Sequence, residues 1–132
     1  MLTKIAHIGI AVTNLQDALT FYKAMGIEPS HIEEVHSQKV KTAFLTIGDV
    51  HIELLEPTSP ESPIVGFLEK RGQGMHHIAY EVNNIDLALE TLKNSGIKLI
   101  NETPVPGAHG MMIAFIHPKS VSGVLTEVCQ HK

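Results

Sequence analysis

Cysteine is nearly missing from this chain: Cys129 is the only one in 132 residues. That excludes an internal disulfide and a cysteine-rich metal site. Tryptophan is absent and aromatic residues make up 5% of the chain, too few for base-stacking platforms. Positive charge is in deficit. Ten Lys and Arg against 14 Asp and Glu leave a formal net charge of −4, the wrong sign for a phosphate backbone. No apolar run approaches the roughly 18 residues of a transmembrane helix. The apolar opening MLTKIAHIGIAV contains a histidine and lacks a small-residue cleavage signature, so it reads as a strand rather than a leader. The expectation is one globular domain in the cytoplasm, with neither nucleic acid nor membrane as partner.

Histidine, by contrast, is abundant, with nine residues. With one thiol and 14 carboxylates available, a metal site here would use imidazole and oxygen ligands. The competing reading is that most of the nine are ordinary surface residues.

An internal duplication separates these readings. Residues 4–28 (KIAHIGIAVTNLQDALTFYKAMGIE) align without a gap on 74–98 (GMHHIAYEVNNIDLALETLKNSGIK), at an offset of 70 and with nine of 25 positions identical. Composition alone would give roughly one or two. Ile5–Val12 is short and β-branched, a buried strand. Asn14 is a helix cap. Leu15, Ala18, Leu19 and Tyr22 then follow one helical face, and Gly26 suits a left-handed stop. The second copy repeats this with Asn84, with Ile85, Ala88, Leu89 and Leu92, and with Gly96.

Strand-like stretches follow each helix: 27–35, 40–47 and 50–55 in the first copy, with Gly48-Asp49 as a hairpin turn. In the second copy they are 97–103, 111–116 and 124–129. The predicted fold is α+β, with two paired βαβββ modules forming curved mixed sheets around a metal cleft. Residues 1–132 form one domain: module 1–56, linker 57–73 and module 74–132. Ser62-Pro63 starts a short helix in the linker, over 64–70, which Gly72 and Gly74 end.

Duplication puts chemically equivalent residues in equivalent places. His7 and His77 lie in the first strand of each module; Glu53 and Glu127, at an offset of 74, lie in the last. A lone histidine in an apolar strand is commonly a satisfied core residue. A glutamate there is unusual, because an unpaired buried charge is costly. Two such glutamates, each matched to a duplicated histidine, point to a shared metal site. Two nitrogens and two oxygens would leave two octahedral positions for water or substrate, which suits Co²⁺, Mn²⁺ or Ni²⁺, with Zn²⁺ also possible. His76 competes with His77, but the register favours His77 and alternation turns His76 to the other face. His51 shares a face with Glu53. His109 and Gly110, in the loop GAHG, are candidates for the rim of the site, with an exposed loop histidine as the equal alternative. His31, His36, His117 and His131 read as surface or turn residues.

These modules resemble the vicinal oxygen chelate, or glyoxalase-like, superfamily. The stretches HIGIAV (7–12), 52–82 and GAHGMMIAFIHPKSVSGVLTEV (107–128) are similar to its methylmalonyl-CoA epimerase family. The resemblance implies His7, His77 and Glu127 as metal ligands, with Glu53 in the fourth position and Co²⁺ as the first-choice cation. It also implies an acyl-CoA substrate, a homodimer and exchange of the proton at C2. Some members carry a glutamate proposed as a base where this chain has Thr42, and threonine cannot take that role. Glu53 and Glu127, from opposite modules, are then the candidate pair of catalytic bases. Thr42, His109, Gly110 and Lys119 are candidate substrate contacts. Lys39, Lys41, Lys70 and Arg71 could also meet phosphates, although no glycine-rich phosphate motif is present. The rival readings are a glyoxalase I-type isomerase, a ring-cleaving Fe²⁺ dioxygenase and a non-catalytic binding module. The second glutamate counts against the dioxygenase, and the scarcity of aromatics against the binding module.

Overall fold

Asn14 and Asn84 each end a strand and start a helix, and a computed structural model describing residues 1–131 shows how. The chain runs β1 (Leu2–Ala11), α1 (Leu15–Ala24), β2 (His31–Val35), β3 (Val40–Ile47), β4 (Val50–Pro57) and α2 (Pro63–Arg71). It continues through β5 (Gly74–Val82), α3 (Ile85–Asn94), β6 (Val105–Pro106), β7 (Met111–Ile116) and β8 (Thr126–His131). Asn14 Oδ1 accepts from the N–H of Asp17 at 2.9 Å, and Asn84 Oδ1 from that of Leu87 at 3.0 Å. Gly26 and Gly96 follow the helices at φ +86° and +81°. These values let Ile27 N–H and Ile97 N–H turn back onto Tyr22 O and Leu92 O.

A second cap comes from tertiary structure. The N–H of Leu15 donates to Glu56 Oε1 at 2.8 Å, and that of Ile85 to Gln130 Oε1 at 2.7 Å. Glu56 and Gln130 stand 74 apart, as Glu53 and Glu127 do. The last strand of each module therefore fastens its helix on one face and carries a carboxylate on the other. Asn14→Ala and Asn84→Ala are each expected to cost about 1 kcal/mol of stability. Gln130→Ala should cost a similar ~1 kcal/mol. Urea midpoints at constant m-value would measure all three.

The chain forms two compact units, His7–His76 and Met1–Ala6 with His77–Lys132. In the first, β3 pairs antiparallel with both β2 and β4, and β4 runs parallel to β1. Val12, Leu15, Leu19, Ala43, Leu45 and Leu54 are buried between α1 and one face of these strands. In the second, β7 pairs antiparallel with both β6 and β8, and β8 runs parallel to β5. Val82, Ile85, Ala88, Leu89, Ala114, Ile116 and Val128 form its matching core beneath α3. Each large aliphatic side chain buried this way contributes about 1.5–3 kcal/mol. The residues before His7 anchor in the second unit: Met1 N donates to Asn83 Oδ1 at 2.8 Å, and Thr3 Oγ1 to Glu81 O at 3.1 Å.

Three predicted strands differ from what forms. The stretch 27–35 is strand only from His31. The stretch 97–103 is not a strand; it makes a single bridge, Leu99 to Ile116. There Asn101 Oδ1 takes the N–H of Phe115 at 2.7 Å, replacing a ladder bond with a side-chain bond. Nearby Pro104 and Pro106 have no N–H to extend a ladder. The stretch 124–129 begins as strand at Thr126, because Ser122 and Gly123 turn at φ +56° and +83°. The linker helix forms as expected. Ser62 caps it through the N–H of Ile64, and Gly72 ends it at φ +72°. Gly74, however, opens β5.

Candidate metal centre

Strand alternation and pairing register decide which side chains share a face. In the unit His7–His76, α1 covers the face of Ala43, Leu45 and Leu54. The opposite face carries His7 and Gly9 from β1, then His51, Glu53 and Leu55 from β4. Thr42, Phe44 and Thr46 from β3 and His31 and Glu33 from β2 complete it. His7 Nδ1 lies 2.9 Å from Glu53 Oε2, with side-chain exposures of 8% and 12%. Thr42 is fully buried. His51 is half-buried, and its Nδ1 is hydrogen-bonded to Thr46 Oγ1 at 3.2 Å.

The other unit repeats the arrangement. Its face away from α3 carries His77 and Ala79 from β5, Ile113 and Phe115 from β7, and Glu127 and Cys129 from β8. His77 Nε2 lies 3.4 Å from Glu127 Oε1, and each side chain is 5% exposed. The His77 ring meets Phe115 edge-on at 5.6 Å. Phe115 is the cross-strand neighbour of Glu127, as Phe44 is of Glu53. Each unit thus holds one histidine–carboxylate pair beside a phenylalanine, with His7, His77 and Glu127 buried and Glu53 partly buried. The donors fit a divalent cation with nitrogen and oxygen preferences. Their burial also calls for compensation, because an isolated buried carboxylate is strongly disfavoured.

The remaining candidates fall as follows. His76 packs edge-on against Phe67 of α2 at 5.1 Å, and Arg71 lies over that ring at 5.7 Å. His76 therefore holds the linker helix, as alternation predicts. His109 sits in a 3-10 turn, Ala108–Gly110, at φ +58°, with Gly110 at φ +66°. Gly107 just before it packs closely, because a Cβ there would lie 2.8 Å from Ile113 Cγ2 and the Ile113 side chain would have to shift. Lys119 is exposed in a second 3-10 turn, Pro118–Ser120, where its N–H donates to His117 Nδ1 at 3.1 Å. His117 is thus a capping residue. Lys39, Lys41, Lys70 and Arg71 all lie in the unit His7–His76. Lys39, at φ +55°, is in the turn before β3, Lys41 in β3, and Lys70 and Arg71 in the last turn of α2.

Sequence reasoning passed over one pair. His31 Nε2 lies 2.9 Å from Glu33 Oε1, and the His31 ring stacks on Phe44 at 5.6 Å. The alternation His31, Glu33, Val35 was the available signal.

The family model of the Glyoxalase/Bleomycin resistance protein/Dioxygenase superfamily matches residues 6–115. The chain belongs to that superfamily. It is 44% identical to the uncharacterized protein YqjC of Bacillus subtilis, over 99% of this chain and 94% of that protein. It is 40% identical to human mitochondrial methylmalonyl-CoA epimerase, over 98% of this chain and 74% of that one. Among solved structures, a methylmalonyl-CoA epimerase in complex with methylmalonyl-CoA and NH4+ is similar at a TM-score of 0.95. It shares 37% identity and covers 99% of this chain and 96% of its own. The glyoxalase-like fold that the resemblance implies is therefore the fold of this superfamily member. No helix among the described residues is long and apolar enough to cross a membrane.

Proposed function

We propose that this glyoxalase-superfamily protein is a metal-dependent methylmalonyl-CoA epimerase, interconverting the 2R and 2S forms. The observation that carries the reading is the pair of histidine–glutamate couples, His7–Glu53 and the fully buried His77–Glu127. Near-full-length similarity to proteins of that name supports it. In this reading His7, Glu53, His77 and Glu127 hold one divalent cation, with Co²⁺ the first choice and Mn²⁺, Ni²⁺ or Zn²⁺ as alternatives. Bound there, the cation would stabilise the negative charge that develops on the thioester oxygen.

The chain's own residues then handle the proton. C2 lies between a carboxylate and a thioester, and its hydrogen is only weakly acidic. Inversion requires the proton to leave one face and arrive on the other. Glu53 and Glu127, from opposite halves of the duplication, are the two bases. Each removes the C2 proton from one enantiomer and returns it to form that enantiomer. His109, Gly110, Lys119 and Thr42 are the proposed substrate contacts. A cytoplasmic homodimer completes the proposal.

The test compares purified protein on two substrates. Epimerisation of methylmalonyl-CoA, with about one metal equivalent per chain, is expected. Turnover of methylglyoxal plus glutathione should be at least ~100-fold lower in kcat/KM, about 2.7 kcal/mol of discrimination. The reverse preference would replace this reading with that of a glyoxalase I. Stoichiometric protein with no metal and no turnover would point to a binding module.

A further inference from the structure

Phe115 stands beside both buried groups of its unit. Its ring meets His77 edge-on at 5.6 Å, and on β7 it faces Glu127 across the ladder. The Phe115 N–H donates to Asn101 Oδ1 at 2.7 Å. The Phe115 carbonyl accepts from the N–H groups of Ile100 and Asn101 at 2.9 and 3.1 Å. Both backbone groups of Phe115 are thus turned away from β8. Phe115 and Glu127 therefore form a non-hydrogen-bonded pair, the kind in which Cα atoms lie about 4.5 Å apart and side chains come closest. In a close-packed interior, a shift of Phe115 reaches the carboxylate and the imidazole directly.

The duplication shows why a side chain is needed here. Phe44, 71 positions earlier, likewise faces a carboxylate, Glu53. Ser30 stands where Asn101 stands, and its N–H and hydroxyl both donate to the Phe44 carbonyl, at 2.8 and 3.2 Å. The residues after Ser30 form β2 and pair with β3 at five positions, His31 to Val35. In the second unit the corresponding stretch, 102–106, pairs with β7 only at Val105 and Pro106. A side-chain oxygen, rather than a strand carbonyl, takes the Phe115 N–H.

We propose that Asn101 is a positioning residue for the metal centre. Through the backbone of Phe115 it fixes the ring against which His77 packs and the strand position that faces Glu127. This rests on the proposed site of His7, Glu53, His77 and Glu127. Asn101 supplies no ligand, because its oxygen is engaged by the Phe115 N–H; it acts on the cation through the placement of the residues that hold it.

The readout is the Kd of chelator-treated protein for Co²⁺, followed by the absorbance of the bound ion with no substrate present. Residues that orient metal ligands set about 10–100-fold in affinity. Asn101→Ala is accordingly expected to weaken Co²⁺ binding by about tenfold or more. Asn101→Asp keeps an oxygen at the same place and should restore binding. Asn84→Ala removes a helix cap from the same unit, and it should lower Tm without moving Kd, which separates positioning from loss of stability. Phe115→Leu should weaken binding as Asn101→Ala does, and the double variant no further, because the two residues act in one line. Asn101→Leu keeps the side-chain volume and takes the place of Asn101→Ala if that variant does not melt cooperatively. An unchanged Kd in the Asn101 variant that lacks the oxygen, an equal loss in Asn84→Ala, or additive losses in the double variant overturns the proposal while leaving the metal centre standing. A parent protein that binds no Co²⁺ overturns the metal centre and the proposal with it.

Discussion

Glu127→Gln is expected to lower kcat for methylmalonyl-CoA epimerisation by about 10²–10⁴-fold, and Glu53→Gln by a comparable factor, the range that a positioned acid or base supplies. Glutamine keeps the volume and one oxygen acceptor, so packing beside Phe115 or Phe44 survives and the basicity does not. KM should change little, because the loss falls on proton transfer rather than on substrate binding. The two variants should also differ from each other. Each should still exchange the C2 proton of the enantiomer handled by the remaining base, and each should lose exchange of the other. Proton NMR in deuterated solvent, run separately on the two enantiomers, resolves this, with metal content measured alongside. Near-parental exchange of both enantiomers in both metal-loaded variants would remove the carboxylates from the proton chemistry.

Which residues could be foreseen follows from what is local and what is tertiary. Asn14 and Asn84, with Gly26 and Gly96, act within a few residues of themselves, so their repetition exposed both helices and the offset of 70. His7, Glu53, His77 and Glu127 were legible because duplication marks a polar residue that an apolar strand would otherwise exclude. Glu56 and Gln130 were not, because their partners are helix N–H groups reached only after folding. The stretch 97–103 misled because Leu99 and Ile100 look strand-like, whereas the bond from Phe115 to Asn101 depends on a neighbour 14 residues away. His31 reads as a surface residue and is one, exposed in the short polar strand HIEEV. Its place beside Phe44 comes from the pairing of β2 with β3. The residues most easily misjudged were therefore those whose role lies in a register.

Stripping the metal is expected to lower epimerase activity by about 10³-fold or more, since several kcal/mol of charge stabilisation would be lost. Activity alone would not separate a cation that serves the chemistry from one that merely contaminates the assay, so stability provides the independent readout. A ligand that binds only the folded chain stabilises it by RT ln(1 + [L]/Kd), about 2.7 kcal/mol at a hundredfold excess over Kd. For a chain of this length that corresponds to a rise in Tm of roughly 10 °C. Adding Co²⁺ to chelator-treated protein should produce such a rise, and should restore turnover at one equivalent per chain. In His7→Ala or His77→Ala, the rise should shrink to a small fraction while the apo protein still melts cooperatively. Both variants also leave a buried carboxylate without its imidazole, which by itself lowers the apo Tm. The decisive quantity is thus the metal-induced increment, not the absolute midpoint. A full increment in both variants would place the cation elsewhere, and the four-residue site would fall with it.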